Sequence, residues 1–351
     1  MTRVRERGKD IRRYIIDNIE KHPNEISRLT ARKFAITRQA VNKHLHRLIK
    51  EKALMESGKT RNRSYKLAPL LQWKRIYERS AGLAEDVIWR NDVLPVLGQM
   101  PGNVIDIWHY GFTEMFNNAI DHSAGEKIGL EIRKTAATTE MQIYDDGIGI
   151  FRKIREALSL MDDRHAILEL SKGKLTTDPA RHTGEGIFFS SRMFDGFDIL
   201  SHGVFFSHQF GDEADWILER ELQTSGTAVW MRLHNHTART TKKIFDTYSS
   251  GDEYGFNKTV VPVNLARYGE EQLVSRSQAK RLLSRIEVFK EVIFDFSGVN
   301  SIGPAFADEI FRVFRNAHPE IALHTMRVNS AVKRMIGRAG AVRQAGAKSA
   351  S

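Results

Sequence analysis

Glu114 and Asn118 lie four residues apart in a stretch, 104–123, whose apolar periodicity predicts one amphipathic helix. That spacing puts both side chains on one helix face. A carboxylate there can act as a general base, and an amide oxygen can ligate a hard cation such as Mg²⁺. Glu and Asn at this spacing are also common on solvated faces, so the flanking segments carry the decision. Residues 128–134 and 140–144 read as paired strands, and the second runs into Asp145-Asp146-Gly147-Ile148-Gly149-Ile150. Glycines there let the backbone turn sharply and approach a ligand closely. Asp146 reads as a solvated turn residue. Further on, His182-Thr183-Gly184-Glu185-Gly186 opens an apolar-periodic helix, and amides at a helix N-terminus form an anion site. Thr224-Ser225-Gly226-Thr227 then precedes a strand over 228–233.

These segments must be held by folded elements, and the bulk of the chain permits that. Its 351 residues suggest two or three domains. With 41% hydrophobic and 28% charged residues the composition is that of a folded globular protein. No apolar run is long enough to span a membrane, and no apolar segment follows the basic N-terminus as a secretory signal requires. There is no cysteine, which excludes disulfides, cysteine–zinc sites and thiol catalysis and fits a cytoplasmic setting. Charge is uneven: residues 1–70 hold 19 Lys and Arg against 7 Asp and Glu, while the whole chain is only +11. A basic module on a neutral body is the pattern of a polyanion-binding protein.

Within that basic module, residues 9–22 read as a helix with Ile11, Ile15, Ile16 and Ile19 on one face. A second short helix follows Pro23-Asn24. Thr37 is placed to N-cap a third, running from Arg38 to about Glu51. Val41, Leu45 and Leu48 face inward there, leaving Arg38, Gln39, Asn42, Lys43 and His46 outward. Residues 53–67 read as strand, turn, strand, with a charged tip at Gly58–Arg63. This pattern resembles the winged helix-turn-helix family. The resemblance implies that Arg38, Gln39, Asn42, Lys43 and His46 face the major groove of DNA, while Lys59, Arg61 and Arg63 touch phosphates. DNA affinity would then fall by roughly 0.9 log units per log of salt for each phosphate contact. Winged helices also dock proteins. Residues 71–100 read as a helical connector, the natural place for a homodimer contact that would set two half-sites.

The four segments of the middle region, taken in order, resemble the GHKL ATPase superfamily over residues 101–236. Its members include DNA gyrase B, the MutL repair protein, the large heat-shock chaperone and the kinase domains of histidine kinases. The resemblance implies a Bergerat α/β sandwich that binds ATP and Mg²⁺. Asn118 matches the Mg²⁺ ligand. Asp145 matches the residue that reads the adenine amino group, and Thr227 a threonine near the base. Gly147 and Gly149 would permit close approach under the base, and Gly184 and Gly186 match the phosphate-side loop. Residues 162–183, with Lys172, Lys174, Arg181 and His182, would form a lid over the phosphates, though each charge could equally be solvated. Glu114 matches a catalytic carboxylate. It activates water in hydrolysing members and a protein hydroxyl in anti-sigma-factor serine kinases, so Glu114 leaves the acceptor open.

After Thr240, strands and helices alternate over 240–338, which argues an α/β unit. Phe294–Gly303 in it resembles the core of STAS domains, a fold often fused to bacterial ATP-binding proteins. STAS antagonists carry a phosphorylated serine just beyond; here Ala305 occupies that position, so docking, within the chain or to a protein partner, is the expected role. Residues 339–351 read as a disordered tail. The fold expected is multidomain α+β: winged helix, GHKL domain, then STAS-like domain. The function expected is a slowly hydrolysing, ATP-binding, DNA-binding transcription regulator. The alternatives are a GHKL protein serine kinase acting on a partner, and an ATP-driven clamp on DNA. A sensor histidine kinase is disfavoured, because 71–100 contains no histidine.

Overall fold

A computed structural model describes residues 2–58, 63–80, 82–175, 184–212, 215–219, 225–249, 255–267 and 271–346. Three helices begin the chain: α1 (Thr2–Asn18), α2 (Ile26–Phe34) and α3 (Arg38–Lys50). Ala35 takes a left-handed conformation at the end of α2, and the Thr37 hydroxyl accepts from the Ala40 amide to cap α3. Ile11, Ile15, Ile19, Val41, Leu45 and Leu48 are buried together. A two-stranded antiparallel hairpin, β1 (Leu54–Ser57) with β2 (Ser64–Leu67), closes this unit. Its small core also takes in Ala137.

Residues 71–100 depart from the expected helical connector. Their first part is strand β3 (Leu71–Glu78), the edge of a seven-stranded sheet. Leu71, Trp73 and Tyr77 alternate toward the core, a period of two that favours a strand. Only then come α4 (Glu85–Ile88), a π-helical turn (Trp89–Val93) and α5 (Leu94–Leu97). α6 (Gly102–His122) follows, burying Val104, Ile107, Trp108, Phe112, Met115 and Phe116 along one stripe. Gly111 interrupts this stripe because the Phe194 ring occupies the place its Cβ would take.

β4 (Lys127–Lys134) and β5 (Thr138–Asp145) form a hairpin, followed by α7 (Ile150–Ala157), α8 (Asp163–Lys172) and α9 (Gly186–Met193). β6 (Gly196–Ser201), β7 (Val204–Gln209), β8 (Trp216–Glu219) and β9 (Thr227–His234) complete the sheet, in the order β3-β4-β5-β9-β6-β7-β8. Every neighbouring pair is antiparallel.

After α10 (Thr241–Thr247) comes a parallel three-stranded sheet of β10 (Lys258–Pro262), β11 (Glu291–Asp295) and β12 (Ala322–Met326). α11 (Arg276–Leu283), α12 (Pro304–Asp308), α13 (Arg315–Ala317) and α14 (Ser330–Gly346) accompany it. The chain is thus multidomain α+β, with a two-stranded and a seven-stranded antiparallel sheet and a three-stranded parallel one among the described residues. The expected disordered tail is partly helical, since α14 runs on through Gly346.

The central and C-terminal units share one continuous hydrophobic core. At their junction Phe188 and Phe189 of α9 meet Tyr248 and Phe256, and Phe256 meets Phe289. No helix among the described residues is long and apolar enough to cross a membrane.

Candidate functional site

One cavity of about 260 Å³ opens between α6, α7, the end of β5, the start of β9 and the start of α9. Glu114 and Asn118 line it, with His122 one turn further along the same face of α6. Asp145, Gly184, Gly186 and Thr227 line it too. Six of the eight predicted residues therefore meet at one place. Ile143, Val229, Ile150, Ile154, Met115 and Leu170 supply an apolar wall.

Asp145 is fixed at the sheet end. Its Oδ1 accepts from the Gly147 amide (2.9 Å) and the Thr227 amide (3.3 Å). Burial raises its carboxyl above the ordinary carboxylate range, against the pull of those two amides. The Thr227 hydroxyl accepts from the Ile150 amide (2.9 Å), so β9 caps the start of α7. Gly149 precedes that helix with φ of +82°, and Ser201 and His202 pack where its Cβ would stand.

Gly147 and Gly149 do not line the cavity. Gly147 lies against the Ser123 carbonyl and holds Asp145 from behind, so both glycines shape the frame. Asp146 is exposed, but it is more than a solvated turn residue. Its Oδ1 accepts from the amides of Glu126 (2.8 Å) and Lys127 (3.0 Å), which hold its carboxyl below the ordinary range.

At the other end, Gly186 begins α9 in contact with the Glu114 carboxylate; a Cβ at Gly186 would overlap Glu114 Oε2. The Tyr110 hydroxyl is pushed up by burial and then by the charges of Glu114 and Glu185. Burial also raises Glu185. The Leu175 amide donates to the Gly184 carbonyl (3.1 Å), joining two residues of the cavity wall. Arg181 and His182 lie outside the described residues.

Neither Lys172 nor Lys174 reaches the cavity as a lid cation. Lys172 is buried at the junction of the central and C-terminal units. Its Nζ donates to Glu169 (2.7 Å) and to the carbonyls of Ser284 (2.7 Å) and Arg281 (3.1 Å). Burial pulls it below the ordinary ammonium value, against the opposing pull of the Glu169 carboxylate. Burial raises the Glu169 carboxyl, and His165 and Lys172 more than offset this. The Thr259 hydroxyl donates to the Lys172 carbonyl (2.6 Å). Lys174 Nζ sits near the Phe289 and Phe256 rings and 3.3 Å from the Val288 carbonyl.

Sequence reasoning missed Lys153, His122, Tyr110 and Glu185. Lys153 was detectable: it follows Ile150 by three and precedes Ile154, a spacing that puts all three on one helix face.

Elsewhere, Arg38, Gln39, Lys43 and His46 are exposed along α3 and Asn42 is half-buried beside them. Arg63 is half-buried near Glu56 (3.8 Å). Lys59 and Arg61 lie outside the described residues. The N-terminal unit rests on the β4–β5 turn through Ala136 and Ala137, and Asp17 meets His234 Nε2 at 3.1 Å. Among the described residues no cluster of three or more His, Asp or Glu could hold a metal alone. In the C-terminal unit, Asp295 accepts from the Ser297 amide and hydroxyl and pairs with Arg327.

No curated protein matches the chain. One family, described as a STAS-like domain of unknown function, matches residues 278–333, so the C-terminal unit, from within α11 into α14, is similar to a STAS-like domain.

Proposed function

We propose that the central unit is a GHKL-type ATP site and that the chain is an ATP-controlled, slowly hydrolysing DNA-binding regulator. The observation that carries this reading is the convergence of Glu114, Asn118, Asp145, Gly186 and Thr227 on one cavity. Asp145 Oδ2 suits the adenine amino group, because a carboxylate accepts where that group donates. Ile143 and Val229 offer the base an apolar wall. The amides at the start of α9 suit phosphate oxygens. Asn118 is the residue that would hold Mg²⁺, which supplies charge neutralisation on the phosphates. Glu114 takes the proton from the attacking water, a role worth typically ~10²–10⁴-fold.

In this reading the N-terminal unit is a winged helix that presents Arg38, Gln39, Asn42, Lys43 and His46 to DNA. A coupling route supports joining the two activities. β5 carries Asp145 at its end, and the N-terminal unit rests on the turn just before its start. ATP shifts the N-terminal unit only if it binds two arrangements with different affinity.

A second reading is favoured by the STAS-like match: a serine kinase whose Glu114 activates a partner hydroxyl, with the C-terminal unit as the docking module. The fate of γ-labelled ATP separates the two. The regulator reading expects free phosphate, with release lost in Glu114→Ala while ATP still binds. Label transferred to a protein would replace it with the kinase reading. Release unchanged in Glu114→Ala would remove Glu114 from the chemistry.

A further inference from the structure

Lys153 is the one lysine or arginine among the described residues that line the cavity. It stands on α7 between Ile150 and Ile154, which line it as well. Its Nζ lies 3.1 Å from the His122 carbonyl oxygen and 3.2 Å from His122 Nδ1. These contacts fix where the ammonium sits: at the C-terminal end of α6, on the face shared by Glu114, Asn118 and His122. At a rise of about 1.5 Å per residue, eight residues separate Glu114 from His122 by about 12 Å along the helix. The row thus runs from a carboxylate beside the start of α9, past an amide, to a cation.

Building on the ATP reading, we infer that Lys153 binds the phosphate nearest the ribose and sets the preference of the cavity for nucleotides over nucleosides. With the terminal phosphate at Glu114 and Gly186 and the base at Asp145 and Thr227, the phosphate adjoining the ribose falls at the far end of the row. A lysine suits that place as a compact point charge able to meet one phosphate from several directions.

The test is calorimetric titration of the full chain with adenosine, AMP and ATP in Mg²⁺, for wild type, Lys153→Met and Lys153→Arg. Loss of a hydrogen bond to a charged group lowers affinity by about 10-fold or more. Lys153→Met is expected to weaken AMP and ATP by that factor while adenosine shifts less than about twofold, and Lys153→Arg to recover part of the loss. Equal weakening of all three ligands would make Lys153 a prop for the cavity wall and overturn the inference. Unchanged AMP and ATP affinity would overturn it and leave the ATP reading standing. Wild-type protein that binds none of the three would end the ATP reading, and this inference with it.

Discussion

Replacing Asp145 by Asn is the sharpest perturbation of the site, because the structure separates what the residue does for the fold from what it does for a ligand. The Gly147 and Thr227 amides both point at Oδ1. An asparagine must keep its oxygen there, since an NH₂ would face two donors. The amide nitrogen then replaces Oδ2. The fold loses only the charge on two hydrogen bonds, and the half-buried site no longer has to desolvate a carboxylate. Stability should change by less than about 1 kcal/mol. For adenine the change is larger. A charge-assisted bond worth about 1.5–3 kcal/mol is lost, and two donors are left facing each other at a cost of about 1–3 kcal/mol. Affinity for ATP should fall about 10²–10⁴-fold. Titration calorimetry in Mg²⁺, with thermal melting as the control on folding, measures both. An Asp145→Asn protein that melts like wild type and binds ATP within about threefold of it would refute the assignment of Asp145 to the base.

Three further outcomes follow from contacts already described. Gly186→Ala places a methyl where Glu114 Oε2 lies; the flexible carboxylate should swing aside, so the protein folds while ATP turnover drops by about 10²-fold, and undiminished phosphate release would contradict this. Lys172→Met leaves the buried Glu169 carboxylate without its ammonium and should cost about 3–5 kcal/mol in chemical denaturation; a loss under 1 kcal/mol would show the pair to be solvated. His234 is raised above the ordinary imidazole value by its hydrogen bond to Asp17, with Asp17 and Asp195 charge helping and burial and Arg13 opposing; the neighbouring His236 is itself lowered, first by burial and then by Arg13 and His234. A raised folded value means the contact stabilises below the unfolded value and fades as pH rises through the folded one, so the α1 amides should be less protected at pH 8 than at pH 6 once the base-catalysed rise in intrinsic exchange is divided out. The side chains are about 30% exposed, which limits the effect to about 1 kcal/mol or less; Asp17→Asn should abolish the difference.

What could be read from the sequence was local. The stripe of α6 and the pairing of Glu114 with Asn118 follow from helical spacing alone. The inward Val41, Leu45 and Leu48 of α3 and the Thr37 cap are equally local. β3 was missed because its charged residues, Lys74 and Arg75, mask the alternation of Leu71, Trp73 and Tyr77; it is an edge strand half open to solvent. Lys172 was misjudged for a different reason. A lysine between Ser171 and Gly173 looks like a loop charge, and its acceptors at Arg281 and Ser284 come from more than a hundred residues away. The end of α14 was missed because Ala- and Gly-rich sequence carries little periodic signal.

The shared core of the central and C-terminal units also dictates an order of events while the chain is being made. β9, the strand that joins β5 to β6 in the sheet, ends at His234, so the central sheet can close once that residue has emerged. Phe188 and Phe189 then still await Tyr248 and Phe256, and Phe256 awaits Phe289. Roughly 55 residues lie between His234 and Phe289, on the order of 3–11 seconds at the usual pace of synthesis. During that interval the nascent chain carries a bare aromatic face on α9, beside a cavity whose walls are already in place. A ribosome stalled once residue 236 has cleared the exit tunnel would hold a nearly finished site with its most adhesive surface uncovered, and chaperone occupancy should peak there and fall once Phe289 has emerged.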